Sequence, residues 1–307
     1  MKKLLLIITL SMTTVFAGGE SLLDNEVQLE SFGKIKYRAP MINSDKLPIV
    51  LFHGIYGGAS HRTWRKILPI LEEAGERVYI MDLPGVGESD RPKKAYKIED
   101  FDEFVEAFLT KVVKQRATVV SESLLSAAVL KVTSERPDLI RRTIIINPSG
   151  VNSLNDGPSQ RQQALYDRLY NNDAGAIGFY QNLLTPNSIK YFLSFGFYDD
   201  SLVNDELIAD FTVARSNLEQ RWLTLSFVGG QLFRPFVDSA NGIFSPVLAL
   251  FGEKYENFQD TPAATAKDFE NLRPDFTYVE IKDSGSSIQR EKPRETAKEI
   301  IIFAEED

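Results

Sequence analysis

Six short runs of β-branched and apolar residues punctuate this chain: "LPIVLF" (47–52), "RVYIMDL" (77–83), "ATVVSES" (117–123), "RTIIIN" (142–147), "PVLALFG" (246–252) and "FTYVEIK" (276–282). Strands that are apolar on both sides fit a parallel sheet buried on both faces, and such strands need helical crossovers to join them. The intervening stretches supply the crossovers. Phe101, Phe104, Val105, Phe108 and Val112 recur at helical spacing, and Asp100 with Glu103 reads as a capping pair at the start of that helix. Strand and helix in repetition predict an α/β sheet with helices on both faces.

The rhythm breaks between residues 152 and 239, where strand-like runs give way to a segment rich in aromatics, among them Tyr166, Tyr180, Phe192, Phe195, Trp222 and Phe227. This segment reads as an inserted helical cap. Its hinges would be the polar "NSLNDGPSQ" (152–160) and "SANG" (239–242). Most of the aromatics are expected to pack, and some to line an apolar pocket beneath the cap.

The N-terminus, "MKKLLLIITLSMTTVFAGG", places two lysines before an apolar run and small residues after it, the layout of a secretory signal cleaved after Ala17. The run is short for a bilayer span, which makes an uncleaved anchor the lesser alternative and a core helix the bland one. With no cysteine in 307 residues, neither a lipidated cysteine nor a disulfide is possible, so the expected location is periplasmic or secreted. A net charge of −8 without a basic cluster argues against nucleic acid as a partner, and after cleavage no stable membrane span is expected. The expected layout is a signal at 1–17, core at 18–151, cap at 152–239 and core again at 240–307.

"PIVLFHGIYGG", then "VYIMDLPGVGESDRP", then a strand, turn and helix around Ser123 resemble the α/β-hydrolase superfamily in order and spacing over nearly the whole chain after the signal. The resemblance implies a mostly parallel eight-stranded sheet with helices on both faces, an inserted helical cap and no cofactor or metal. It also implies roles for individual positions. Ser123 stands at the nucleophile's place, and the backbone N–H groups of Ile55 and Leu124 would face a developing oxyanion. His53 would be a structural imidazole beside the loop, with Glu122 and His61 as further pocket candidates.

Where the family has glycines two before and two after the nucleophile, "SESLL" (121–125) carries Ser121 and Leu125. Leu125 predicts a relaxed or displaced turn. A serine hydroxyl also needs a base to accept its proton and an acid to orient that base. Tyr255 occupies the usual acid position and Ser286 the histidine position; an acid moved to the earlier strand would fall near Asn147, which does not ionise. The chain's two histidines, His53 and His61, both follow the first core strand, and Lys254 is a remote alternative base.

Removal of a triad member typically costs about four to six orders of magnitude, leaving roughly 10³ to 10⁴ over water. With two members replaced, the usual triad mechanism is unsupported. The leading expectation is an exported, catalytically impaired or noncatalytic protein that binds a small apolar or amphipathic ligand under the cap, or a protein partner. The alternative is an esterase-like or lipase-like serine hydrolase that uses Ser123 with an unconventional base. A dehalogenase or epoxide hydrolase reading ranks lower, because those relatives carry aspartate at the elbow and need the absent histidine.

Overall fold

A computed structural model describes residues 21–149, 157–235, 242–254, 266–268, 270–271 and 276–306. Eight strands form one sheet in the order β1-β2-β4-β3-β5-β6-β7-β8. They are β1 (Asn25–Leu29), β2 (Gly33–Arg38), β3 (Ile49–Phe52), β4 (Val78–Met81), β5 (Ala117–Glu122), β6 (Ile140–Ile146), β7 (Val247–Gly252) and β8 (Thr277–Ile281). β1 pairs with β2 and β2 with β4 in antiparallel fashion; every other pairing is parallel.

The six apolar runs form the parallel strands because both of their faces are covered. Val50 and Phe52 of β3 pack under α2 (Ile98–Phe108) and α3 (Leu125–Glu135), while Ile49 and Leu51 pack on the other face with α1 (Leu68–Glu73) and α10 (Pro293–Glu305). β7 divides likewise: Leu248 and Leu250 join the second face, Ala249 and Phe251 the first. Side chains that alternate across a strand and are covered on both faces explain why these runs are mainly apolar, while β8, at the sheet edge, is more open.

Helix α2 buries Phe101, Phe104, Val105 and Phe108. Its cap differs from expectation: the Asp100 carboxylate accepts the Lys97 backbone N–H at 2.7 Å, so the helix begins one turn earlier and Glu103 plays no part in the cap. Between β6 and β7 the described chain is helical: α4 (Gln160–Tyr170), α5 (Asp173–Leu183), α6 (Pro186–Gly196), α7 (Asp205–Thr212) and α8 (Arg221–Val228). Side-chain caps from Ser159, Asn172, Thr185 and Asn204 start four of these helices. The short α9 (Ile288–Glu291) precedes α10. The expected signal (1–17) lies outside the described residues, and no described helix is long and apolar enough to cross a membrane.

Candidate functional site

β3 and β5 are parallel neighbours, with Phe52 opposite Ser121, yet the chain leaves β3 for β4 on one side before it returns to β5 on the other. The loops that follow these two strands therefore diverge and open a crevice at their carboxyl ends. Residues 53–55 and 122–124 line that crevice from opposite sides.

Ser123 turns the chain from β5 into α3 with φ of 58°, a left-handed conformation that costs a non-glycine residue about 1–2 kcal/mol. Its N–H donates to Ile146 O at 3.0 Å and its C=O accepts from Ser126 at 3.1 Å. The relaxation expected from Leu125 does not occur. Leu125 is buried in the cluster that contains Phe104 and Phe108, and Ser121 Oγ donates to Ser126 Oγ at 3.2 Å, so the ends of the turn are clamped. Opposite the turn, a Cβ on Gly54 would stand 2.8 Å from the Tyr56 ring and 3.3 Å from Ser123 Cβ, so only glycine permits this approach. Among the described residues, neither the Ile55 nor the Leu124 N–H donates a hydrogen bond.

The Ser123 hydroxyl meets another hydroxyl: Ser149 Oγ, 3.0 Å away. Sequence reasoning missed Ser149, which follows β6 in "INPSG" and carries no signature beyond its place at a strand's carboxyl end.

Glu122 does more than line a pocket. Its carboxylate is buried beside Tyr56 and accepts the Gly54 N–H at 3.2 Å and Gln289 Nε2 at 2.9 Å. Gln289 Nε2 also reaches Thr63 Oγ1 at 2.8 Å. Burial pushes the Glu122 carboxyl up, against the opposing pull of Gln289, Arg290 and the Gly54 N–H. Burial also pushes the Tyr56 phenol up, and the neighbouring Glu122 adds to the effect. One carboxylate thus ties the oxyanion loop, the elbow and the helix after Ser286 together.

Both histidines are engaged elsewhere, and neither lines the cavity at Ser123. His53 Nδ1 lies 2.8 Å from Gly54 O while Nε2 accepts the Leu83 N–H at 3.1 Å, which fixes a neutral ring protonated at Nδ1. Burial pushes the His53 pKa down, as expected of a structural imidazole. His61 Nδ1 sits 3.0 Å from each Asp82 oxygen, and Leu22 N–H points at Nε2. Burial would raise the Asp82 carboxyl, but the adjoining His61 ring and backbone N–H outweigh it and hold Asp82 at about 2. His61, Asp82 and Glu88 bring ligand-type atoms within 4.8 Å of one another. Each Asp82 oxygen, however, already accepts a backbone N–H, from His61 or Glu88 at 2.7 Å, and the group acts as a clasp on the loop.

Ser286 follows β8 and lines the cavity beside Ser287. Its N–H donates to Gly196 O of α6, and Glu291 anchors the loop by accepting from Gly285 and Tyr198 at 2.8 Å each. Tyr255 lies outside the described residues. Lys254 Nζ donates to Phe197 O at 3.4 Å. Asn147, where a displaced acid would stand, accepts the Gly252 N–H at 3.0 Å and donates to Gly285 O at 3.3 Å, joining β6, β7 and the Ser286 loop through an amide.

Above Ser123 is a cavity of about 440 Å³. Its floor carries Ile55, Glu122, Ser123, Asn147 and Ser286. The walls are apolar side chains of the inserted helices, including Leu184, Ile189, Phe192, Leu193 and Phe227. Phe192 and Phe195, 57% and 63% exposed, stand where the cavity opens to solvent.

A switch-point crevice, a strained serine between strand and helix, and two neighbouring backbone N–H groups that donate no hydrogen bond among the described residues are arranged on the hydrolase plan. A family model described as alpha/beta hydrolase fold matches residues 48–293, and the chain belongs to that family. It is 30% identical over 128 residues to a haloalkane dehalogenase of Psychrobacter cryohalolentis, covering 39% of this chain and 40% of that enzyme. A Bradyrhizobium diazoefficiens haloalkane dehalogenase is 30% identical over 114 residues, 34% of this chain and 36% of the enzyme. The chain therefore aligns with well under half of the length of these curated relatives. Among solved structures, the enol-lactonase of Burkholderia xenovorans LB400 superposes with a TM-score of 0.73 at 18% identity, covering 92% of this chain and all of that one. A bacterial membrane phospholipase A gives 0.70 at 19% identity, over 91% and 84% of the respective chains.

Proposed function

We propose that this α/β-hydrolase-fold protein is exported and binds an apolar or amphipathic small molecule in the cavity above Ser123, without efficient ester hydrolysis. The observation that carries the reading is the pairing of Ser123 Oγ with Ser149 Oγ, in a site whose histidine position is Ser286 and whose two imidazoles are bound elsewhere. Neither hydroxyl takes up a proton at neutral pH, so among the described residues Ser123 has no hydrogen-bonded base through which to become a nucleophile.

The same floor suits recognition. The N–H groups of Ile55 and Leu124 and the Ser123 hydroxyl would hold a carbonyl or carboxylate oxygen, while the ligand's apolar body lies against Leu184, Ile189 and Phe192. Ordered donors around a shaped apolar space give affinity without any bond being broken.

A second reading, a serine hydrolase with an unconventional base, draws on one feature: the left-handed Ser123 backbone persists despite its cost, and such strain gathers at functional sites. Binding of a fluorescent fatty-acid analogue together with turnover of short-chain nitrophenyl esters separates the two. Saturable binding in both the parent and Ser123→Ala, with ester turnover equal in the two, supports the binding protein. Serine-dependent turnover supports the enzyme.

A further inference from the structure

A second concavity, of about 430 Å³, lies along the seam between the sheet domain and the inserted helices. It shares Phe197 alone with the Ser123 cavity, and its chemistry is the opposite. Arg62, Arg65, Lys66, Arg290 and Arg294 line it against Glu73, Glu206 and Asp210, five cations facing three anions on a chain whose net charge is −8.

The charge is concentrated at Asp210 of α7. Arg65 Nη2 lies 3.0 Å, Arg290 Nη1 3.4 Å and Arg62 Nε 3.9 Å from its carboxylate. Asp210 thus serves all three guanidinium groups, and a fourth participant, Glu206, is 70% exposed at 3.8 Å from Arg65. Arg65 Nη2 meets Asp210 as an ion pair, whereas Arg65 Nε is buried and has no hydrogen-bond partner among the described residues, a state that costs about 1–3 kcal/mol. The Arg290 guanidinium is oriented by the Phe211 ring, 5.2 Å from its centroid.

We propose that this groove is a binding site for a phosphate group, free or carried as a phosphomonoester, which bridges the inserted helices to the sheet domain. The planar, forked donors of arginine match the oxygens of such an anion, and the lining's excess of two positive charges matches a dianion. Its occupant would satisfy the Arg65 Nε donor that Asp210 leaves without an acceptor.

Isothermal titration of the full chain with inorganic phosphate and, separately, glycerol 3-phosphate, against sodium chloride of equal ionic strength, tests the site. Saturable binding is expected with at least one phosphate and absent with chloride. Arg65→Gln and Arg294→Gln should each weaken it about tenfold, the loss expected when one charge-assisted hydrogen bond is removed. Arg294 is exposed, so its replacement leaves the buried cluster folded, and circular dichroism verifies Arg65→Gln. Tighter binding of glycerol 3-phosphate identifies a phosphomonoester as the occupant, and equal binding identifies the phosphate group alone. Heats that follow ionic strength only, or an affinity unchanged in both variants, would overturn the proposal.

Discussion

Ser123 Oγ and Ser149 Oγ stand 3.0 Å apart at the carboxyl ends of β5 and β6, a pairing of two hydroxyls in which either is the donor. A serine proton passed to another serine has gained nothing, since both oxygens hold their protons at neutral pH with similar strength. Glu122, the carboxylate next to Ser123 in the chain, is committed to Gly54 and Gln289. On the proposed reading, the site keeps the shape of a nucleophile elbow and lacks the base to activate it.

If geometry is intact and only the base and its acid are missing, restoring them should restore chemistry. Ser286→His combined with Tyr255→Asp is expected to raise nitrophenyl ester turnover by at least about 10²-fold over the parent, the lower end of what a positioned general base contributes. The measurement is the initial rate at saturating ester, with Ser123→Ala added to the double variant as control.

Glu122 holds the Gly54 N–H and Gln289 Nε2, so its removal strands them. Glu122→Ala should destabilise the fold by about 2–4 kcal/mol in urea titrations. Because burial raises its pKa, the protonated form favours the folded state: this contribution is full below the ordinary carboxyl range and is lost as pH rises through the folded-state value. Glu122→Gln should therefore flatten the fall in stability that the parent displays as pH rises above the ordinary carboxyl value of 4.5.

Asp82 has the opposite sign. Held at about 2 against an ordinary 3.8, it stabilises the fold above about pH 4, and about 2 kcal/mol should disappear as pH falls through 2. Asp82→Asn should lack this acid limb. His61→Ala, which removes the partner ring, should lower stability and leave binding of the fatty-acid analogue unchanged per folded molecule.

Apolar binding needs the cavity's volume. Val228 lines it from α8 and is partly exposed there, so Val228→Trp should fill space rather than overpack the core, and the fatty-acid analogue should bind at least about tenfold more weakly. Fluorescence titration reads the effect. Unchanged affinity would place the ligand elsewhere.

The parallel half of this fold was legible because strands buried on both sides are mainly apolar, and all six runs became strands within two residues of their expected ends. The β1–β2 hairpin escaped notice as individual strands: "NEVQL" alternates exposed and partly covered residues at the sheet edge, "GKIKYR" is mostly half-buried and polar, and neither offers an apolar run. At the site, residue order revealed Ser123 and Ser286. It did not reveal Ser149, which reaches the elbow only because β5 and β6 are neighbours. Nor did the leucine at 125 foretell its own accommodation: whether a side chain disrupts a turn depends on the space beside it, and here α2 leaves room among its phenylalanines. Glu122 was recognisable as a neighbour of Ser123, but its role comes from Gly54, Tyr56 and Gln289, which are distant in sequence and assembled by the sheet.

The most direct test is labelling of the purified protein by a fluorophosphonate, which reacts only with a serine whose proton has somewhere to go. The account predicts that Ser123 is labelled no faster than in Ser123→Ala or the denatured chain, while the fatty-acid analogue still binds. Rapid, stoichiometric labelling that Ser123→Ala abolishes would contradict it.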